Sequence, residues 1–195
     1  MELNNKYFLL RHGQTIYQKQ NIETNYPEDA SHTLSITDEG KDMIKMAAES
    51  LREKNIDLIF ASPFLRTKQS AEITSEILKI ENINYDDRLI DIKMGEFAGR
   101  PFEDYKNFFG DISERFEKRP AGGESWNNVI KRLRSFLDDV EKNYKGKNIL
   151  VVSHGDPVWL MAGIIRGFEK DGEFLNVRKT KENNLYPKVG DLIIP

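Results

Sequence analysis

The sequence predicts an α/β fold: a three-layer αβα domain with a mostly parallel sheet and helices on both of its faces. Two observations carry this expectation. Three short apolar runs, Tyr7 to Leu10, Asp57 to Ala61 and Asn148 to Ser153, have the length and the polar flanks of buried strands. Between them lie longer segments whose apolar residues recur at helical spacing, and strands alternating with helices imply parallel pairing with both faces covered.

Taken in order, the first strand runs into Arg11-His12-Gly13. Thr37 then offers a hydroxyl cap to a helix in which Ile44, Ala47, Ala48 and Leu51 share one face. After the second strand a helix is predicted from Phe64 to about Lys79. Val129, Ile130, Leu133, Leu137 and Val140 form the apolar stripe of another, capped by Ser125. Another helix is predicted to open at Pro157, with Asp156 as its N-cap, because proline suits the first helical position and aspartate the cap. The stretch from Arg100 to Arg119 carries five basic and five acidic residues together with Phe102, Tyr105, Phe108, Phe109 and Phe116, a composition suited to a helical lid around residues 100–120.

A chain of 195 residues fits one domain with a single core, so residues 1–195 are read as one unit. Its 38% hydrophobic and 31% charged residues are those of a globular protein rather than a disordered one. The net charge of −3, with lysines and arginines interleaved among acids, argues against a nucleic-acid or membrane-surface partner and for a small anionic ligand in a local basic pocket. There is no cysteine, which excludes a disulfide framework, a thiolate nucleophile and a cysteine zinc site. No apolar stretch approaches the roughly 20 residues of a membrane span, and the start of the chain has no apolar targeting region, so a cytoplasmic location is expected, as monomer or homodimer.

In open α/β sheets ligands bind beyond the carboxyl ends of the strands, so polar residues directly after a strand are the first candidates for chemistry. Three places qualify: Arg11-His12-Gly13-Gln14-Thr15, Ser62-Pro63-Phe64-Leu65-Arg66 and Ser153-His154-Gly155. The chain has three histidines, and two of them stand at strand ends followed by glycine. The third, His32, lies in a polar loop and reads as a surface residue.

These segments, with Leu34-Ser35-Ile36-Thr37 and Gly40, Gln69-Ser70-Ala71, Gly95-Glu96-Phe97-Ala98-Gly99 and Gly122-Gly123-Glu124-Ser125, resemble the histidine phosphatase superfamily, the group that includes cofactor-dependent phosphoglycerate mutase. The resemblance implies a phosphoglycerate mutase-like fold and hydrolysis of a small phosphate monoester without metal or other cofactor. It places the phosphorylated histidine at His12, the phosphate-holding arginines at Arg11 and Arg66, and a second phosphate-contacting histidine at His154. Chemically the set is coherent. A neutral imidazole can attack phosphorus, and guanidinium forks can hold phosphate oxygens and offset the charge developing in transfer. The arginines should also hold the pKa of His12 down.

By the same resemblance the proton donor falls on Asp91, where the family usually has glutamate, with Glu96 as the alternative acid. Gln18, Thr15 and Gly155 are the implied substrate-binding positions. Glu124 could reach the rim of the pocket or could serve only in a turn. Competing readings are a phosphoglycerate mutase-type isomerase, a phospho-ligand binding module without catalysis, and a histidine metal site, for which two histidines without clustered carboxylates are a poor donor set. The charge balance of 100–120 favours a phosphatase over a mutase. The alcohol part of the substrate stays open.

Overall fold

The computed structural model describes residues 3–179 and 185–195. Its strands are β1 (Lys6–Arg11), β2 (Leu58–Ala61), β3 (Ile83–Tyr85), β4 (Asn148–Ser153) and β5 (Leu192–Ile193). They form one sheet in the order β3-β2-β4-β1-β5. Four strands run parallel, and only the short edge strand β5 is antiparallel to β1. The three expected strands are present to within one residue at each end, whereas β3 and β5 have too few residues to leave a pattern in the sequence.

The helices are α1 (Ile16–Lys19), α2 (Ala30–Thr33), α3 (Asp38–Ser50), α4 (Leu65–Leu78), α5 (Phe102–Asn107), α6 (Trp126–Asn143), α7 (Gly155–Ile165) and α8 (Asp171–Lys179). Strand side chains alternate between two cores, as the two-residue period of a strand requires. Tyr7, Leu9, Ile149 and Val151 join Val129, Leu133 and Leu137 of α6 and Trp159 of α7. Phe8, Leu10, Leu150 and Val152 join Ile44 of α3 and Ala71 of α4. Three layers result, with α3 and α4 on one face and α6 and α7 on the other. Each strand buried on both faces must be apolar throughout, which is why these runs read as continuous.

Caps fix the entry of two helices. The Thr37 hydroxyl accepts from the Gly40 amide at 3.0 Å. Ser125 and Asn128 bond reciprocally, the Ser125 hydroxyl accepting from the Asn128 amide at 3.2 Å and the Asn128 side chain accepting from the Ser125 amide at 3.0 Å. Such caps contribute about 1 kcal/mol each. The expected start of the helix at Pro157 needs correction. α7 opens at Gly155 with His154 as its N-cap residue, so Asp156 lies inside the first turn and does not cap it. Its carboxylate is drawn instead to Trp126, Arg115 and Arg178.

Residues 100–120 contain α5 and a 3-10 turn, Ile112–Phe116. Tyr105, Phe109 and Phe116 are buried, so most of the aromatics serve as packing, while Phe102 is exposed. His32 is exposed as expected, although it sits in α2 rather than in a loop. Among the described residues no helix is long and apolar enough to cross a membrane.

Candidate active site

The register of the sheet assembles the site. Arg11 pairs with Ser153 and Ala61 with Val152, so the carboxyl ends of β1, β4 and β2 finish side by side. The His12 amide continues the ladder to the Ser153 carbonyl at 3.0 Å, and the Ser62 amide to the Val152 carbonyl at 3.0 Å. The rings of His12 and His154 consequently stand 5.3 Å apart, edge to face. Both residues are buried, with exposures of 1% and 0%.

Glycines let this end of the sheet close. A Cβ on Gly13 would stand 2.5 Å from the Gly40 carbonyl oxygen, so the loop after β1 lies directly on the first turn of α3. At Gly155 a Cβ would meet the Tyr186 hydroxyl at 2.8 Å and the Arg11 guanidinium carbon at 3.3 Å. The glycine after each histidine is therefore a packing requirement of the site.

Nδ1 of His12 lies 2.8 Å from the Gly13 carbonyl oxygen. A carbonyl only accepts, so Nδ1 carries the proton and Nε2 carries the lone pair. Burial, reinforced by Arg66 and Arg11, holds the His12 pKa well below its ordinary value and keeps the ring neutral. His154 is shifted the same way by burial, Arg66 and His12. Its Nε2 meets the Ser62 hydroxyl at 2.9 Å, and its Nδ1 is 3.6 Å from Asp91 Oδ2.

Arg66 emerges from the first turn of α4 and is 1% exposed. Its guanidinium is stacked 4.7 Å from the ring centre of Tyr26 and 5.1 Å from that of Phe64. It donates to Asp91 Oδ2 at 3.2 Å. Arg11 donates to the Pro187 carbonyl at 2.9 Å. Asp91 thus touches Arg66 on one side and approaches His154 on the other. Burial raises its pKa against the opposing pull of Arg66 and Arg11, with the charge of Asp156 adding to the rise. The segment that carries it is pinned from two sides. Ser153 donates to the Leu89 carbonyl at 2.6 Å, and Arg132 donates to the carbonyls of Arg88 at 2.6 Å and Asp91 at 3.3 Å.

The other sequence candidates fall at varying distances from this cluster. Glu96 is exposed and accepts from the Ala121 amide at 3.0 Å, away from the cavity walls. Glu124 is paired with Arg132 at 3.0 Å and accepts from the Lys93 amide at 3.1 Å, which makes it a brace for the Asp91 segment. Gln18 lines the cavity, with its carbonyl accepting from Thr15 and its amide donating to the Tyr26 hydroxyl at 2.6 Å. Thr15 is fully buried and acts through Gln18 rather than facing the cavity.

The cavity over the cluster has a volume of about 210 Å³ and is lined by Arg11, Gln18, Asp91 and Gly155 together with Arg115 and Arg178. An adjoining, more apolar cleft of about 350 Å³ runs past Phe64, Arg66 and Met94 and shares Asp91 with the first. Asp156, Arg115, Arg178 and Tyr186 form part of the wall of the first cavity. Arg115 Nη2 and Trp126 Nε1 donate to Asp156 Oδ2 at 3.1 and 3.0 Å. Burial would raise the Asp156 pKa, but Arg115 and Arg178 outweigh it and hold the carboxyl below its ordinary value. Sequence reasoning missed Tyr26, Arg115, Arg132, Arg178 and Tyr186. Their partners lie far off along the chain, Arg115 being 41 positions from Asp156, so spacing gives no signal for them.

Comparison with known proteins places this geometry in context. The model of the histidine phosphatase superfamily (branch 1) matches residues 7–179. Phosphoserine phosphatase 1 of Hydrogenobacter thermophilus is 30% identical over 139 residues, 69% of this chain and 65% of that protein, so the match spans just under two thirds of its length. The phosphatase PhoE of Bacillus subtilis is 27% identical over 166 residues, 82% of this chain and 76% of that one. Among solved structures, a mycobacterial glucosyl-3-phosphoglycerate phosphatase superposes with a TM-score of 0.75 at 20% identity, covering 87% of this chain and 84% of that one. At that identity the superposition speaks to the fold alone.

Proposed function

We propose that this chain, which belongs to the histidine phosphatase superfamily (branch 1), is a phosphatase that hydrolyses a small phosphate monoester through a phosphohistidine on His12. The observation that carries the reading is the cluster itself: a neutral imidazole with its lone pair on Nε2, two guanidiniums beside it, and a carboxyl whose pKa is raised, 3.2 Å from Arg66.

Each step has a residue. Arg11 and Arg66 hold the phosphoryl oxygens, and their charge offsets that of the transferring group. His12 Nε2 forms the bond to phosphorus as the ester oxygen leaves, while Gly13 holds Nδ1–H and stabilises the ring as it becomes cationic. With the Ser62 hydroxyl donating to Nε2 of His154, Nδ1–H of that ring is the donor toward the phosphoryl group. Asp91, whose pKa burial raises, gives a proton to the leaving oxygen, then takes one from the water that cleaves the phosphohistidine. Glu96 is not needed, since it bonds to the Ala121 amide outside the cavity. Residues 100–120 act as a cover that brings Phe102 and Arg115 to the cavity. Phosphoserine, named for the relative at 30% identity, is a natural first substrate to try.

The test is turnover of a generic aryl phosphate by wild type and by His12→Ala, with and without a chelator, from mildly acidic to neutral pH. Chelator-resistant turnover that vanishes in the variant is expected. Turnover that survives in His12→Ala would refute the reading.

A further inference from the structure

A guanidinium that is to grip phosphate cannot also be gripped by the protein, because every N–H taken by a fixed acceptor is one fewer for the ligand. Arg66 meets this constraint. It is 1% exposed, yet its Nη2 reaches Asp91 only at 3.2 Å and its Nη1 the Ala30 carbonyl only at 3.4 Å, while its Nε has no hydrogen-bond partner among the described residues. Two rings fix its plane instead, Tyr26 at 4.7 Å and Phe64 at 5.1 Å from ring centre to guanidinium carbon. Stacking orients the fork without consuming its N–H groups.

Phe64 stands two residues before Arg66 and arrives with the same turn of chain. Tyr26 belongs to the loop between α1 and α2 and has to be held from elsewhere. Its backbone is tied to the start of the 100–120 segment: the Gly99 amide donates to the Tyr26 carbonyl at 3.2 Å, and the Asn25 amide to the Arg100 carbonyl at 2.8 Å. Its hydroxyl is tied to the loop that follows His12. Gln18 Oε1 accepts from the Thr15 amide at 2.9 Å and from the Thr15 hydroxyl at 2.8 Å. A backbone amide only donates, so that end of the carboxamide is the oxygen, and the nitrogen at the other end donates to the Tyr26 hydroxyl at 2.6 Å. Both ends of Gln18 are engaged by the protein. Thr15, Gln18, Tyr26 and Arg66 thus form an unbroken chain of contacts from the nucleophile loop to the arginine.

We propose that Tyr26 is a positioning residue for Arg66 and Gln18 a positioning residue for Tyr26, so that Gln18 serves phosphate binding through the ring rather than by touching the phosphate. This inference rests on the phosphatase reading and gives two further residues a role in it. The ring sets the plane of the guanidinium, and the Gln18 bond sets the ring.

Inorganic phosphate is the probe, because it has no alcohol part and reads the phosphate grip alone. Its Kd is measured by calorimetry on wild type and variants, beside thermal melts and turnover of an aryl phosphate. Tyr26→Leu removes the ring and should weaken phosphate about thirtyfold, the size of a desolvated cation–π contact. Tyr26→Phe keeps the ring, loses only the Gln18 bond, and should weaken it about fivefold. In Gln18→Leu the same Tyr26→Phe change should cost nothing further, since the bond it removes is already gone. In Arg66→Lys, whose ammonium has no plane to orient, Tyr26→Leu should cost no more than about twofold. Equal phosphate affinity in wild type and Tyr26→Leu overturns the inference. A Tyr26→Phe loss undiminished in Gln18→Leu, or a Tyr26→Leu loss undiminished in Arg66→Lys, means that these side chains do not act through one another and overturns it as well. Should Tyr26→Leu not fold, the Tyr26→Phe and Gln18→Leu comparison still decides. Wild type separates the two levels: if it turns over the aryl ester while the variants bind phosphate normally, only the positioning role fails; if it neither binds phosphate nor turns over the ester, the phosphatase reading fails and the inference with it.

Discussion

Replacing Asp91 by asparagine separates the acid role of this residue from its place in the fold. The substitution keeps the shape of the side chain and one oxygen, which can accept from the Ile92 amide as Asp91 Oδ1 does at 3.0 Å or from Arg66 as Oδ2 does at 3.2 Å, but not from both. The transferable proton is lost together with one of these two bonds. General acid catalysis contributes about 10² to 10⁴ in rate, so hydrolysis of an alkyl phosphate should slow by that factor. An aryl phosphate, whose leaving group departs as a stabilised anion, should suffer far less in the phosphorylation step. Stability should change as well. Burial raises the Asp91 pKa in the folded state, so the carboxyl contributes stability at low pH that is lost as pH rises through its folded value. Asparagine cannot ionise, so the variant should lack this pH dependence in its melting temperature, with about 1 kcal/mol lost for the bond left unmade. The assay is single-turnover kinetics on an alkyl and an aryl ester, with thermal melts of both proteins. Equal losses on the two esters, or near-normal turnover of the alkyl ester, would refute the assignment. Glu96→Gln should leave both rates within a few-fold of wild type.

Gly155→Ala puts a methyl group 2.8 Å from the Tyr186 hydroxyl and 3.3 Å from the Arg11 guanidinium carbon, and should lower kcat/KM for an aryl phosphate by about tenfold or more at a stability cost of about 1–3 kcal/mol, read from kinetics and melts. Ser62→Ala removes the 2.9 Å bond between the Ser62 hydroxyl and His154 Nε2 and should lower kcat by about tenfold with the fold intact by circular dichroism. The two buried histidines also set a pH dependence of stability. Their folded pKa values lie below the ordinary 6.5, so the unfolded chain binds more protons and stability falls as pH drops below that value. With both contributing about 1.4 kcal/mol per pH unit, the slope approaches about 2.7 kcal/mol per unit, and it should halve in His12→Asn. Urea unfolding between neutral and mildly acidic pH measures it.

Much of this architecture is legible in the sequence because it is local. Strands buried on both faces leave unbroken apolar runs, and helices packed on one face leave stripes such as Val129, Leu133 and Leu137. The residues after β1 and β4 stood out because a polar triplet following a buried strand must face the carboxyl edge of the sheet. What escaped is either short or distant. β5 has two residues and owes its place to pairing with Leu9 and Leu10. Asp156 beside Pro157 looked like a cap because aspartate before proline usually is one. Gly155 moved the start of α7 back, and the carboxylate was claimed by Trp126, 30 positions away, and by Arg115. Arg115 sat in a charge-balanced stretch that gave no hint of burial, and Tyr26 meets the Arg66 guanidinium only once the chain has folded. Arg11, His12, Arg66 and His154 were readable, whereas Arg115, Arg178 and Tyr186 on the wall of the cavity were not.

The central claim is a covalent bond between His12 and phosphorus, and the most direct test is to trap it. Wild-type protein is mixed with a radiolabelled phosphate ester, quenched in denaturant within the first turnovers, and mapped by peptide. The account predicts label that is stable in alkali, labile in acid and confined to the peptide bearing His12, with none in His12→Ala. Rapid turnover with no label at His12, or label carried by another residue, would contradict it.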